Sequence, residues 1–129
     1  MVHFKEKARY NYDDLLEIIR VLRSPEGCPW DQVQTHQSIR RGLLEEAYEA
    51  AEGIDRDDAD LLREELGDVL FAAVKAARFA GVDPEDALNA ACEKFIRRYG
   101  AVEQGAASRG VSVSDLTLEE MTGLWNAAK

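Results

Sequence analysis

Proline falls at only three places in this chain, Pro25, Pro29 and Pro84, and between them apolar residues recur at helical spacing almost without a break. Proline inside a helix removes a hydrogen bond and clashes with the preceding turn. Long proline-free stretches with a 3.6-residue apolar period therefore favour helix. Alternating β-branched runs are absent, and no strand is expected. Leu15, Leu16, Ile18, Ile19 and Leu22 form a stripe that predicts a first helix from Tyr12 to Arg23, capped by Asn11 or Asp13. SPEGCPWD then breaks the pattern with two prolines and a glycine.

A second helix is expected from Thr35 or Ser38 to Ile54, with Leu43, Leu44, Ala47, Tyr48 and Ala51 facing inward. DRDDAD supplies a turn and places negative charge at the start of the next helix, where it complements the dipole. That third helix spans Asp58 to Ala80, with Leu62, Leu66, Val69, Leu70, Ala73, Val74 and Ala77 inward and Gly81 as its C-cap. Asp83-Pro84 opens a fourth helix that runs to Ser108 and is closed by Gly110. Leu88, Ala91, Cys92, Phe95, Ile96 and Tyr99 form its inward stripe. T-L-E-E at Thr117 is a capping box for a short last helix. The expectation is an all-α chain: one antiparallel four-helix bundle-like domain over residues 1–129, with a short C-terminal helix.

The formal net charge is −9, the wrong sign for a partner with a phosphate backbone, so a nucleic acid polymer is excluded as a bulk ligand. Acidity suits solubility, or a site that collects divalent cations. No apolar run approaches the roughly 18 residues of a membrane span, and the polar start lacks the apolar middle of a secretory signal. A cytoplasmic location without membrane attachment is expected. Cys28 and Cys92 form no C-x-x-C pair, which disfavours a zinc site or disulfide framework, and Cys92 reads as a small core residue.

Carboxylates carry the chemical signal. Glu46 and Glu49 share a face of the second helix, and Glu65 and Asp68 share a face of the third, because neighbours on a helix lie three or four residues apart. All four flank or interrupt the apolar stripes, whereas Glu52, Asp57 and Glu64 read as solvated charges. Acids gathered on two packed helices repel each other and are costly to desolvate unless a hard cation joins them. Other metal chemistries fail on inspection. A di-iron bundle wants Glu-x-x-His, and neither His3 nor His36 follows a glutamate at that spacing. Histidine-based zinc hydrolysis fails for the same reason, and no glycine-rich phosphate loop is present.

GCPWDQVQTHQSIRRGLLEEAYEA followed by LREELGDVLF resembles the MazG nucleotide pyrophosphohydrolases, and the similarity extends through EKFIRRYGAVE to LEEMTGLWNAAK. The family's EExxE…ExxD signature stands here as Glu45, Glu46 and Glu49, then Glu65 and Asp68. The resemblance implies that Glu46, Glu49, Glu65 and Asp68 bind Mg2+, with Mn2+ as a substitute, and that Glu46 and Glu45 are catalytic. Glu45 would orient water or accept its proton. It implies phosphate contacts from Lys94 and Arg98, and places Trp125, Lys129 and Trp30 near the nucleotide. Asp31 and His36 match the family without an assigned role.

On the residues alone, Lys94 and Arg98 also read as the solvated basic face of a helix. Trp30 and Trp125 also read as hydrophobic anchors, and His36 as a capping-region side chain. The implied activity is hydrolysis of nucleoside triphosphates between the α- and β-phosphates, giving a monophosphate and pyrophosphate. The implied assembly is a homodimer, or a tetramer. The competing class is a non-catalytic helical oligomerisation or regulatory module that binds metal or nucleotide.

Overall fold

A computed structural model describes residues 2–129. The described residues are helical, with six α-helices, one short 3-10 turn and no strand. They are α1 (Tyr12–Leu22), α2 (Pro29–Gln32), α3 (His36–Asp55), α4 (Ala59–Phe79), α5 (Pro84–Ser108) and α6 (Leu118–Ala127). The sequence marks most of their ends. Asn11, Thr35 and Thr117 each accept a hydrogen bond from the third helical backbone N–H, and residue N3 answers at the cap N–H. Asp58 accepts from the N–H groups of Asp60 and Leu61 at the start of α4. Gly81 and Gly110, both with positive φ, close α4 and α5.

Residues up to Pro84 form one compact unit, and Glu85–Lys129 form a second. In the first, α3 and α4 make an antiparallel hairpin joined at Arg56–Asp58, and α1 packs on α4. Its tightest crossing is at Gly53, where an added Cβ would lie 3.0 Å from the backbone of Leu62. Ile19, Ala50 and Val74 are buried here. In the second, Val102 and Ala106 of α5 bury themselves with Leu116, backed by Val113, Met121, Leu124 and Trp125. Neither unit by itself is a four-helix bundle.

Two short elements escape the sequence pattern. Pro29 opens the single turn α2 inside the segment expected to be irregular, and Val113–Asp115 adds a 3-10 turn before α6. The expected burial also needs correction. Leu44 and Tyr48 on α3, Leu66 and Leu70 on α4, and Leu88, Phe95, Ile96 and Tyr99 on α5 are all exposed, as is Cys92. Helical periodicity finds an apolar face, but each unit is too small to cover the whole of it. Among the described residues, no helix is long and apolar enough to cross a membrane.

Candidate metal centre and nucleotide pocket

The α3–α4 hairpin turns two spacing patterns into one site. One carboxylate oxygen each from Glu46, Glu49 and Glu65 lies within 4.8 Å of the others. Glu46 and Glu65 are half-buried, while Glu49 is exposed. Asp68 stands outside this trio but lines the adjoining pocket with Glu46. Desolvation pushes the Glu46 carboxyl above its ordinary value, and the charges of Asp68 and Glu49 add to it. Glu65 is raised in the same way, by desolvation first and then by Glu49, Glu64 and Asp68. A site that disfavours its own ionisation, built only from carboxylate oxygens, fits a hard divalent cation.

Glu45 lies one residue along α3 and is not part of the trio. Its carboxylate accepts a hydrogen bond from Arg41 Nε at 2.8 Å, an exposed pair one turn apart. Such pairs contribute little, so Arg41 does not lock Glu45 in place.

Beside the carboxylates, a pocket of about 190 Å³ runs between α3 and α4. Glu46 and Asp68 mark one end, and Ser38 and Lys75 the other. Ile39, Leu43 and Phe71 give it apolar walls. Lys75 Nζ lies 2.5 Å from Oδ1 of Asp31, an ion pair outside hydrogen-bond geometry. Both side chains are mostly buried, at 26% and 10% exposure. The sequence reading missed Lys75, although it stands seven residues after Asp68 and therefore on the same face of α4.

The other expected residues fall elsewhere. Trp30 is exposed on α2, and its carbonyl accepts a hydrogen bond from Gln34 Nε2 at 3.1 Å. His36 meets the ring of Phe79 edge-on at 5.0 Å, and Arg23 lies over that same ring. In the second unit, Arg98 Nη2 donates to the carbonyl of Trp125 at 3.0 Å. Its guanidinium stacks on the indole at 4.3 Å, while Nε is buried without a partner. Arg98 thus ties α6 to α5. Lys94, one turn earlier, is exposed, as is Lys129.

The MazG nucleotide pyrophosphohydrolase domain matches residues 34–102, just over half of the chain and all five signature acids. A nucleoside triphosphate pyrophosphohydrolase/pyrophosphatase MazG from Thermotoga maritima is 45% identical over 98 residues, covering 73% of this chain and 38% of that protein. The nucleoside triphosphate pyrophosphohydrolase of Escherichia coli K12 is 45% identical over 92 residues, covering 67% and 35%. The chain therefore spans little more than a third of these curated relatives. A crystal structure of a mazG-related protein from Thermotoga maritima superposes with a TM-score of 0.60 at 31% identity, covering 90% of this chain and 96% of that one. With the signature acids inside the matched segment and the fold shared along nearly its whole length, this chain belongs to the MazG nucleotide pyrophosphohydrolase family.

Proposed function

We propose that this chain hydrolyses nucleoside triphosphates at the α–β phosphate bond, with Mg2+ (or Mn2+) held by Glu46, Glu49, Glu65 and Asp68. The observation that carries the reading is the trio of mutually repelling carboxylates on a hairpin of this family. When bound, the cation neutralises charge on the phosphate oxygens and lowers the pKa of the attacking water.

The chain's own groups supply the rest. Glu46, Glu49 and Glu65 converge as ligands, and Asp68 extends the acidic edge toward the pocket. Glu45 accepts the proton of the water as its oxygen bonds to the α-phosphorus. The bond to the bridging oxygen breaks, and pyrophosphate leaves. By the family resemblance, Lys94 and Arg98, one turn apart on α5, are the groups that stabilise the leaving charge, and Trp125, Lys129 and Trp30 lie near the nucleotide. Residues 1–129 act as one domain, in the cytoplasm, on a small-molecule substrate. Two copies associate, or four, and cover the exposed apolar faces of α3, α4 and α5.

The test is product analysis with a panel of nucleoside triphosphates, in magnesium and in excess chelator. Monophosphate and pyrophosphate should appear only with the cation. Glu46→Gln and Asp68→Asn should each lose at least the roughly 10–100-fold that even a supporting partner of a metal ligand is worth. Full metal-dependent turnover in either variant refutes the ligand assignment. Orthophosphate and a diphosphate would move the cleavage to the β–γ bond. Nucleotide binding without turnover would make the chain a binding module.

A further inference from the structure

The pocket beside the carboxylates ends at an ion pair that the hydrolytic chemistry leaves unused. Asp68 and Lys75 are seven residues apart on α4, and Glu46 and Ser38 are eight apart on α3. At 1.5 Å per residue, the two ends of the pocket are about 10 Å apart. That span suits a nucleotide reaching from its α-phosphate across the sugar to the base edge. The volume of about 190 Å³ is below the roughly 300–1,000 Å³ that encloses a whole small ligand, so the pocket holds one ring system rather than a full triphosphate. Its apolar walls suit a flat heterocycle.

The polar groups at the far end are mostly engaged with one another. The Ser38 hydroxyl donates to Gln34 Oε1 at 2.7 Å, and Gln34 Nε2 donates to the Trp30 carbonyl. Lys75 is the exception. An ammonium carries three donors and no acceptor, and the ion pair with Asp31 Oδ1 can engage one of them. Asp31 sits on α2, directly after Pro29-Trp30, so that turn fixes where the lysine tip can lie. With Gln34 and Ser38 satisfying each other, the donors of Lys75 are what this end offers a ligand, and they select for acceptors. Guanine and uracil-type bases present a carbonyl oxygen where adenine and cytosine present an amino group.

We propose that Lys75, oriented by Asp31, makes this pocket favour keto bases over amino bases. Lys75 is the specificity-determining residue and Asp31 its positioning residue. The inference rests on the nucleotide reading above.

The test compares kcat/KM for inosine against adenosine triphosphate and for uridine against cytidine triphosphate. Calorimetric binding of inosine and adenosine monophosphates repeats the comparison without turnover. The keto member of each pair should lead by at least about fivefold, the low end of what one good base contact delivers, mostly through KM. Lys75→Met should bring both ratios close to one, and Asp31→Asn should lower them with less loss of kcat than of affinity. Gly42→Leu is the control for the pocket itself. A Cβ at Gly42 meets no protein atom within 4 Å, and the rest of a leucine side chain there would enter the pocket; once circular dichroism and melting show the variant folded, monophosphate binding should be lost. Ratios near one in the parent protein, ratios unchanged by Lys75→Met, or full binding in Gly42→Leu would each overturn the proposal. Absent turnover with every triphosphate would instead sink the hydrolase reading, and monophosphate binding would still decide the base preference.

Discussion

Glu46 and Glu65 are held where the protein alone opposes their ionisation, and this has a sign that can be measured. Both carboxyls are raised above the ordinary 4.5 by desolvation and by their acidic neighbours. A raised acid binds its proton more tightly in the folded state. Its stabilising contribution is therefore complete below the unfolded value and is lost as pH rises through the folded value. In chelator, the parent protein should lose thermal stability as pH rises above about 4.5, relative to a Glu46→Gln/Glu65→Gln variant. Magnesium should restore it for the parent alone, and less so at lower pH, because protons compete for the same oxygens. Calorimetry across this range decides the matter: a parent and variant that track together would show that the acids do not repel. These residues were legible because i, i+3 spacing fixes a shared helix face. The pairing of Arg98 with Trp125, and of Lys75 with Asp31, was not, because both join positions far apart in the chain.

At the scale of the element, Gly53 sets how closely α3 and α4 approach, one turn from the Glu49–Glu65 contact. Placing alanine there gains about 1 kcal/mol of helix propensity but pushes a methyl to 3.0 Å from the Leu62 backbone, which cannot swing aside. Overpacking typically costs about 1–3 kcal/mol, so Gly53→Ala should be neutral to destabilising and should spread the carboxylates, weakening the cation-induced rise in Tm. Gly42→Ala faces no such contact and should raise Tm by a few degrees. Melting curves of the two variants give opposite signs if the reading is right. Helix ends were the most readable part of the fold. Asn11, Thr35, Asp58, Thr117, Gly81 and Gly110 all act as the caps that their residue types suggest. The single turns α2 and Val113–Asp115 are too short to carry any apolar period, so nothing in the pattern marks them.

For the whole molecule, the exposed stripes matter most. Tyr48 is 75% exposed, Leu70 65% and Ile96 70%, in helices whose polar faces already meet water. The sequence showed that these positions form apolar faces, but periodicity does not say whether a face turns to its own chain or to another copy. Sedimentation should give a dimer or tetramer at micromolar concentration. Tyr48→Asp/Leu70→Asp should shift it to the monomer, while helix content by circular dichroism stays within a few per cent. A monomeric parent protein would remove the assembly from the reading.

The hairpin that carries the acids also dictates when they meet during folding. Only Arg56, Asp57 and Asp58 separate α3 from α4. Closing so short a loop costs little chain entropy and takes far less than a millisecond, whereas contacts across long separations arrive later. The repulsion among Glu46, Glu49 and Glu65 is therefore met early, while much of the chain is still disordered. A divalent cation present at that moment acts on the folding barrier itself. Stopped-flow refolding should accelerate with magnesium, and unfolding rates should change less, which would mark the α3–α4 pair as the part of the molecule that organises first.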